Sequence, residues 1–283
     1  MSDARLMWTL VEPVHGVTYF VEEPLAAYEA AGLRGFWRGY FAGRATPLGT
    51  RNPAVVTGAL QTFAPAFVAR AVPAVYDLIT PEEALRVRLD GAVTGLRRVL
   101  AGQDAEVEAA AAQLAGAIRD IDCSGRTLAA GNAALPVPEE PFARLWHCAT
   151  VLREHRGDGH FAAWTAAGVD GCEATVLRCA IDLSRETLQP IRGWTDDEWA
   201  DAQGRLAGRG LLNTDGTVTD EGRDLHAEVE AATDRAAARP WAGISIPELT
   251  RLLVPIAQAC AAAMIRPSPL RVPPPGSSSG SIA

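Results

Sequence analysis

The chain has 283 residues, 48% of them hydrophobic, and a formal net charge of -8 at pH 7. This length allows two domains with hydrophobic cores, and the negative charge opposes a generic polyanion binder, because neutralised phosphates supply most non-specific affinity for nucleic acids. All 26 basic residues are arginine, which excludes enzymes that hold a carbonyl substrate or pyridoxal phosphate as a Schiff base on lysine.

The cysteines and the N-terminus bear on location. Five cysteines occur without a CxxC pair, and the first residues do not resemble a secretion signal, so we expect reduced thiols and a cytoplasmic protein. No apolar run approaches the roughly 18 residues that span a bilayer, so we expect no membrane partner.

Helical patterns follow one another along the chain, with apolar residues three and four positions apart. They predict helices in residues 23–32, 81–100, 104–121, 141–155, 170–184, 197–210 and 220–238. The strand signal is confined to GLLNTDGTVTDEG, residues 210–222, where Asp215 and Gly216 are typical of a tight hairpin turn.

Two segments of the chain resemble each other. AAYEAAGLRG at residues 26–35 and AAWTAAGVDG at 162–171 share six identities, and each is preceded by a Glu and a His before a Gly. These residues are Glu12, His15 and Gly16 in the first segment and Glu154, His155 and Gly157 in the second. The pattern predicts a tandem duplication.

The order of helices, hairpin and closing helix in the second half is typical of a winged helix. We therefore predict a mainly α fold of tandem duplicated winged-helix-like domains with a small β-hairpin wing. The predicted divisions are a degenerate N-terminal repeat at 1–122, a linker at 123–140, a C-terminal repeat at 141–243, a C-terminal helix at 244–270 and a disordered tail at 271–283.

Several strings carry a family resemblance. GLLNTDGTVTDEGRDL resembles the wing and following helix of MarR-like winged-helix proteins, and EPVHGVTYF, GLRGFWRGYFAGRATPLG, LWHCATVLREHRGDGHFAAW and GWTDDEW are similar to an actinobacterial helix-turn-helix or MarR-like family. The resemblance implies a duplicated winged-helix fold and implies no particular activity.

The helix that would read DNA is acidic. Residues 194–216 contain five acids, Asp196, Asp197, Glu198, Asp201 and Asp215, against Arg205 and Arg209. DNA is therefore a disfavoured partner, because this surface would repel phosphates. A homodimer with a composite basic face from Arg34, Arg38, Arg44 and Arg51 stays open.

The stretch LREHRGDGHFAAW, residues 152–164, has a structural explanation in part. A helix ending near His155, a left-handed stop at Gly157 and a cap at Asp158 would account for several of its polar residues. Arg153, Glu154 and His160 remain as candidate functional residues.

Two further interpretations concern cofactors and aromatic residues. His155 and His160, with His15 or Glu12, could hold zinc, iron or copper, haem iron included, only if the turn folds back, and the spacing matches no standard ligand pattern. We assign no metal ligand and leave the cofactor undetermined. Phe36, Trp37, Tyr40 and Phe41 are either core residues or an aromatic wall for a planar ligand.

These observations predict a protein that binds a small organic molecule between its repeats. The predicted ligand-binding residues are Glu12, His15, Tyr19, Tyr40, Arg44, His147 and Arg153. Whether the protein is an enzyme stays open; if it is one, Glu154 with His155 or His160 would be the acid/base pair. The alternative is a ligand-responsive MarR-like DNA-binding transcriptional regulator.

Overall fold

The computed structural model describes residues 1–265 and 272–276, and the described chain is mainly helical, as the periodic patterns predict. The α helices are α1 (Asp3–Phe20), α2 (Glu22–Ala30), α3 (Phe36–Ala45), α4 (Pro53–Ala59), α5 (Pro65–Val75), α6 (Pro81–Val99), α7 (Asp104–Ile118), α8 (Thr127–Ala133), α9 (Pro141–Ala166), α10 (Gly171–Ile181), α11 (Arg185–Arg192), α12 (Asp196–Gly208), α13 (Asp220–Ala236) and α14 (Ile246–Ala262). Short 3-10 helices cover Thr46–Leu48 and Arg239–Trp241.

Side-chain caps define many of the helix starts. The Ser2 hydroxyl accepts the Arg5 N–H at α1, and Thr80 accepts the Glu83 N–H at α6. Reciprocal capping boxes begin α10 and α12. Each cap satisfies an N–H that has no partner within its own helix, so the helix boundaries are encoded locally.

A central bundle of α1, α6, α7, α9 and α14 contains the largest apolar core. Its buried side chains include Met7 and Leu10 of α1, Leu96 of α6, Leu114 of α7, Trp146 of α9 and Leu253 of α14. Because α1 comes from the start of the chain and α14 from its end, this bundle ties the two halves of the chain together.

Two smaller apolar clusters flank the bundle. The N-terminal cluster is formed by α2–α5 with one face of α6, and the C-terminal cluster by α10, α12 and α13 with the end of α9. They meet through the segment after α4: the Ala64 N–H donates to the Arg192 carbonyl at 2.9 Å, and the Trp194 indole donates to the Thr62 carbonyl at 3.0 Å. The N-terminal and C-terminal clusters therefore lie against each other.

The predicted helix stop at residues 155–158 is wrong, because α9 runs through it without a break. Gly157 is helical, and a Cβ on Gly159 would lie 2.6 Å from the Arg126 guanidinium, so glycine here permits close packing. Asp158 does not cap its own helix; its carboxylate accepts the Ala129 N–H at the start of α8 at 2.9 Å. A tertiary contact thus explains the polar residues that resemble a turn.

The predicted hairpin is reduced to one antiparallel bridge between Leu212 and Val218, and no longer ladder occurs in residues 1–265 or 272–276. The turn itself forms: Asp215 accepts the Thr217 N–H at 2.9 Å, and Gly216 has a φ of 84°. Thr219 already caps α13, which leaves too few residues for a two-stranded ladder.

The tail predicted to be disordered at 271–283 falls outside the described residues at 271 and 277–283. Its described part, residues 272–276, lies against α1, where the Gly276 N–H donates to the Thr9 hydroxyl at 3.3 Å. Among the described helices none combines the length and the apolar character that crossing a membrane requires.

Candidate functional site

A cavity of about 140 Å³ lies between the N-terminal and C-terminal clusters, and residues of α1 and α9 also line it. One water needs about 10–15 Å³ by the same measure, so the cavity has room for a small organic molecule. Its polar wall includes Arg5, Glu12, Arg44, Arg153, Arg156, His160, Arg178, Arg192 and Glu230, and its apolar wall includes Trp8, Leu60, Phe63, Phe161, Trp164, Leu183 and Leu188.

The first group of charges, here called the Glu154 cluster, consists of Glu12, Arg44, Arg153 and Glu154. Glu154, only 1% exposed, accepts from Arg44 through both carboxylate oxygens at 3.2 and 3.1 Å. Arg153 donates to Glu154 at 2.8 Å and to Glu12 at 3.1 Å. Helices α1, α3 and α9 each supply part of this cluster, so it joins the N-terminal cluster to the bundle.

The Glu154 cluster stays fully ionised. Burial raises the pKa of the Glu154 carboxyl, but the charges of Arg44 and Arg153 outweigh this effect and lower it to about 2. Burial likewise lowers the pKa of the Arg44 guanidinium, whereas the Glu154 carboxylate raises it to a net value well above the usual range. Two cations therefore hold two anions in place, and of these four groups Arg44 and Glu154 are buried whereas Glu12 and Arg153 are partly buried.

Tyr19, Tyr40 and His15 lie behind this cluster. Tyr40 accepts a hydrogen bond from Arg44, and its ring lies 5.0 Å from that of Tyr19. His15 shares a hydrogen bond of 3.1 Å with the Thr150 hydroxyl, and burial lowers the pKa of its imidazole to about 3. None of the three side chains reaches the cavity wall.

A second group, here called the Glu230 cluster, consists of Arg5, Arg156, Glu230 and Asp234. Arg5 contacts Glu230 and Asp234, both at 2.9 Å, and Arg156 contacts Glu230 at 3.3 Å. The Arg156 guanidinium also lies 4.2 Å from the centre of the Trp8 ring. The sequence analysis missed this cluster, because its partners are about 75 to 230 positions apart in the chain.

His160 lines the cavity as a neutral imidazole. Its Nε2 accepts the Trp164 indole N–H at 2.9 Å, and its Nδ1 lies 2.9 Å from the Thr233 hydroxyl, which itself donates to the Val229 carbonyl. Nδ1 must therefore carry the proton. Burial lowers the pKa of His160 to about 3, so the ring remains neutral near pH 7.

The structure does not bring His155 or His147 into the cavity. His155 lines a separate small space with Trp8 and Trp241, because consecutive residues of a helix point in different directions. Burial lowers the pKa of both imidazoles to about 4, with Arg126 acting on His155 and Arg88 on His147. His155 and Glu154 are thus not arranged as an acid/base pair.

Arg192 is another residue of the cavity wall that sequence reasoning missed. It lies at the end of α11, and its guanidinium lies 4.4 Å from the centre of the Phe63 ring and close to the Tyr40 hydroxyl. Leu188, one turn earlier, is also buried. An arginine four positions from a buried leucine, on the same helix face, is the signal that could have identified it.

The aromatic segment forms core rather than a ligand wall. Phe41 is fully buried, and the Trp37 ring packs against the rings of Phe63 and Phe67 at 6.0 and 5.0 Å. The cavity instead takes its aromatic surface from Trp8, Phe63, Phe161 and Trp164. In residues 1–265 and 272–276, no three His, Cys, Asp or Glu side chains are grouped to hold a metal ion.

Several arginines of the segments considered for DNA binding make contacts within the chain. Arg205 of α12 pairs with Glu173 at 2.9 Å and Asp170 at 2.6 Å, and Arg209 donates to two backbone carbonyls. Arg44 is buried in the Glu154 cluster, whereas Arg34 and Arg38 are exposed. The exposed side of α12 retains Asp196, Asp197, Glu198 and Asp201.

Comparison with known proteins gives one match. A family model described as "Helix-turn-helix family" matches residues 4–267. No curated protein and no solved structure matches the chain significantly.

Proposed function

The chain belongs to the helix-turn-helix family whose model covers residues 4–267, and from this premise we propose that it binds a small organic molecule in the cavity between its two clusters. The observation that carries the proposal is the composition of the cavity wall. Charged residues from α1, α3, α9 and α11 surround an apolar floor, which is the arrangement typical of small-molecule sites.

The scaffold that we propose is a tandem duplication of winged-helix-like, MarR-like units. Helices α9–α13 with the Leu212–Val218 bridge follow the order of a winged helix, and α1–α6 repeat that order of helices. Under this proposal the break between α1 and α2 at Val21 corresponds to the middle of the continuous α9. The cavity would then lie between the two units, where duplicated proteins can acquire a pocket.

We assign binding and positioning roles to the predicted site residues. Glu12, Arg44, Arg153 and His160 face the ligand, because all four line the cavity. Glu154 does not line the cavity; it holds the Arg44 and Arg153 guanidinium groups in position by accepting hydrogen bonds from both. Tyr19, Tyr40 and His15 support this cluster, and His147 and His155 take no part in the proposed binding.

A cavity-filling variant tests the proposal. Gly157 lines the cavity within α9, and a Cβ there would meet Arg153 at an ordinary contact distance of 3.5 Å, so Gly157→Leu should preserve the helix while filling the space. Gly116→Leu is the matched control, because Gly116 is helical, exposed and free of neighbours within 4 Å.

The probe is the neutral dye N-phenyl-1-naphthylamine, whose fluorescence rises in apolar sites. We expect saturable binding to the wild type and to Gly116→Leu, and binding at least tenfold weaker in Gly157→Leu. Equal binding to all three proteins, or no saturable binding to the wild type, would contradict the proposal. Native mass spectrometry of the purified protein adds the mass of any retained molecule and the oligomeric state, including a homodimer.

Family membership favours a second candidate, a ligand-responsive DNA-binding regulator. The helix order of α10–α13 supports it, while the acidic surface of α12 and the internal contacts of Arg205 and Arg209 oppose it. A gel-shift titration with random duplex at low salt distinguishes the two. Tight retardation that weakens steeply with salt would favour the regulator, whereas no retardation at micromolar protein would rule it out.

A further inference from the structure

Arg192 is a buried cation without an anionic partner in the described part of the chain. Its guanidinium lies 4.4 Å from the centre of the Phe63 ring and close to the Tyr40 hydroxyl, and the charges that act on it most strongly are those of Arg44 and Arg153. Burial, reinforced by these two cations, lowers the pKa of Arg192 to about 10, so the guanidinium is still charged near pH 7. Residues 266–271 and 277–283 contain no Asp or Glu that could neutralise it.

The other charges of the cavity wall balance one another. Six arginines line the cavity: Arg5, Arg44, Arg153, Arg156, Arg178 and Arg192. Five of them pair with five carboxylates, those of Glu12, Glu154, Asp182, Glu230 and Asp234. Arg178, for example, binds Asp182 through two hydrogen bonds of 2.9 Å. Because His160 is neutral, the side chains that line the cavity keep one unpaired positive charge, and it belongs to Arg192.

Resting on the proposed function, we infer that the cavity takes a small monocarboxylate whose carboxylate pairs with Arg192 and whose apolar or aromatic body fills the rest. A guanidinium presents parallel N–H groups that match the two oxygens of a carboxylate. A single uncompensated charge favours a monoanion over a phosphate dianion, which would need a second free cation. Trp8, Phe161 and Trp164 supply the surface for the body of the ligand.

Two probes of equal shape separate charge recognition from cavity binding. 2-Naphthoate carries a carboxylate on an aromatic body, and 2-naphthamide replaces that carboxylate with a neutral amide. Isothermal titration calorimetry of the full chain should show that naphthoate binds the wild type at least tenfold more tightly than naphthamide. Arg192→Met should remove this preference while leaving naphthamide affinity within threefold of the wild type.

The control is Arg70→Met, which makes the same change of charge at an exposed arginine of α5 outside the cavity; it should retain the preference. Retained naphthamide binding by Arg192→Met shows that its cavity is intact, so loss of naphthoate binding cannot then be assigned to misfolding. If Arg192→Met binds neither probe, the preference for naphthoate over naphthamide is measured instead in Arg192→Lys, which retains the positive charge. Equal affinity of Arg192→Lys for the two probes overturns the inference.

The remaining outcomes separate the inference from its premise. Equal binding of both probes to the wild type, lost in Gly157→Leu, would overturn the monocarboxylate inference and leave the binding cavity standing. A tenfold preference that Arg192→Met retains would overturn the role of Arg192. Failure of both probes to bind the wild type would count against the inference and against the proposed function together.

Discussion

The two ion-pair clusters beside the cavity have similar compositions and different surroundings. Each contains two arginines and two carboxylates and is built on α1 and α9, but α3 adds a cation to the Glu154 cluster, whereas α13 adds the anions of the Glu230 cluster. Arg192 lies beside the former. The Glu230 cluster is therefore balanced and fastens α13 to the bundle, while the Glu154 cluster adjoins an uncompensated charge that a ligand can neutralise.

The largest expected effect tests the burial of the Glu154 cluster. Glu154→Gln removes the only carboxylate that pairs with Arg44 among the described residues and directs an amide N–H toward two guanidinium groups. Because breaking a buried ion pair leaves an uncompensated charge, we expect the free energy of unfolding to fall by about 3–5 kcal/mol. Urea denaturation followed by circular dichroism measures it.

The matched control for this change is Glu83→Gln. Glu83 pairs with Arg86 on the exposed side of α6, where solvent screens the interaction. We expect almost no change in stability for this variant. A loss in Glu154→Gln no larger than that in Glu83→Gln would show that the Glu154 cluster does not hold α3 against the bundle.

Features that depend on contacts within one segment were predicted correctly, whereas features that depend on contacts between distant segments were missed. The start of α6 was predictable because its cap lies within the segment itself, at Thr80. The continuity of α9 was not, because Asp158 finds its partner on α8. Helix α1 was also missed, since Pro13 lies in its interior and proline usually breaks a helix. Local patterns encode helix ends, whereas tertiary contacts decide whether a glycine or proline is tolerated.

In the candidate site, too, local patterns predicted some of the residues, whereas tertiary contacts decided which of them meet. Glu12 and Glu154 were singled out from the paired Glu and His residues of the two similar segments, and Arg153 from the charged stretch at 152–164. The structure brings these three together with Arg44. Their histidine neighbours were expected to join them, but the helical rotation points His155 away from Glu154. The spacing of Leu188 and Arg192 on one helix face indicates that Arg192 is buried, but no local pattern reveals that it lacks a carboxylate partner, because that depends on tertiary contacts.

The next prediction concerns the pH dependence of stability that is due to His160, whose Nδ1 lies 3.7 Å from a Glu230 carboxylate oxygen. The folded pKa of His160 is about 3 against a usual 6.5, so its contribution to stability is present above pH 6.5 and is lost as the pH falls toward 3. Glutamine at this position can accept from Trp164 and donate to Thr233 without titrating. We therefore expect wild type to lose about 2–3 kcal/mol relative to His160→Gln between pH 7 and pH 4.5.

Parallel denaturation curves of the two proteins at each pH measure this difference, and the other titrating groups largely cancel between them. Wild type should be the more stable protein or equal to the variant at pH 7, with the advantage shrinking or reversing at pH 4.5. A difference that does not depend on pH would show that His160 is protonated in the folded protein or is exposed to solvent.

A smaller effect is expected at the carboxylate of the Glu230 cluster. Glu230→Gln leaves Asp234 to pair with both Arg5 and Arg156, and the Glu230 side chain is 12% exposed where that of Glu154 is 1% exposed. We expect the free energy of unfolding to fall by about 1–2 kcal/mol, less than for Glu154→Gln. Equal losses in the two variants would remove the distinction between the clusters.

The smallest effect has the opposite sign and tests the difference between paired and unpaired cations. Arg192→Met removes a buried charge that no described carboxylate compensates and keeps an apolar side chain against Phe63. Burying an unpaired charge is costly, so we expect stability without ligand to stay constant or rise by about 1 kcal/mol. Arg44→Met, which deprives Glu154 of its partner, should instead destabilise the protein. If both variants lose stability to the same extent, the Arg192 charge stabilises the fold in the absence of ligand, which contradicts the view that it is unpaired until a ligand binds.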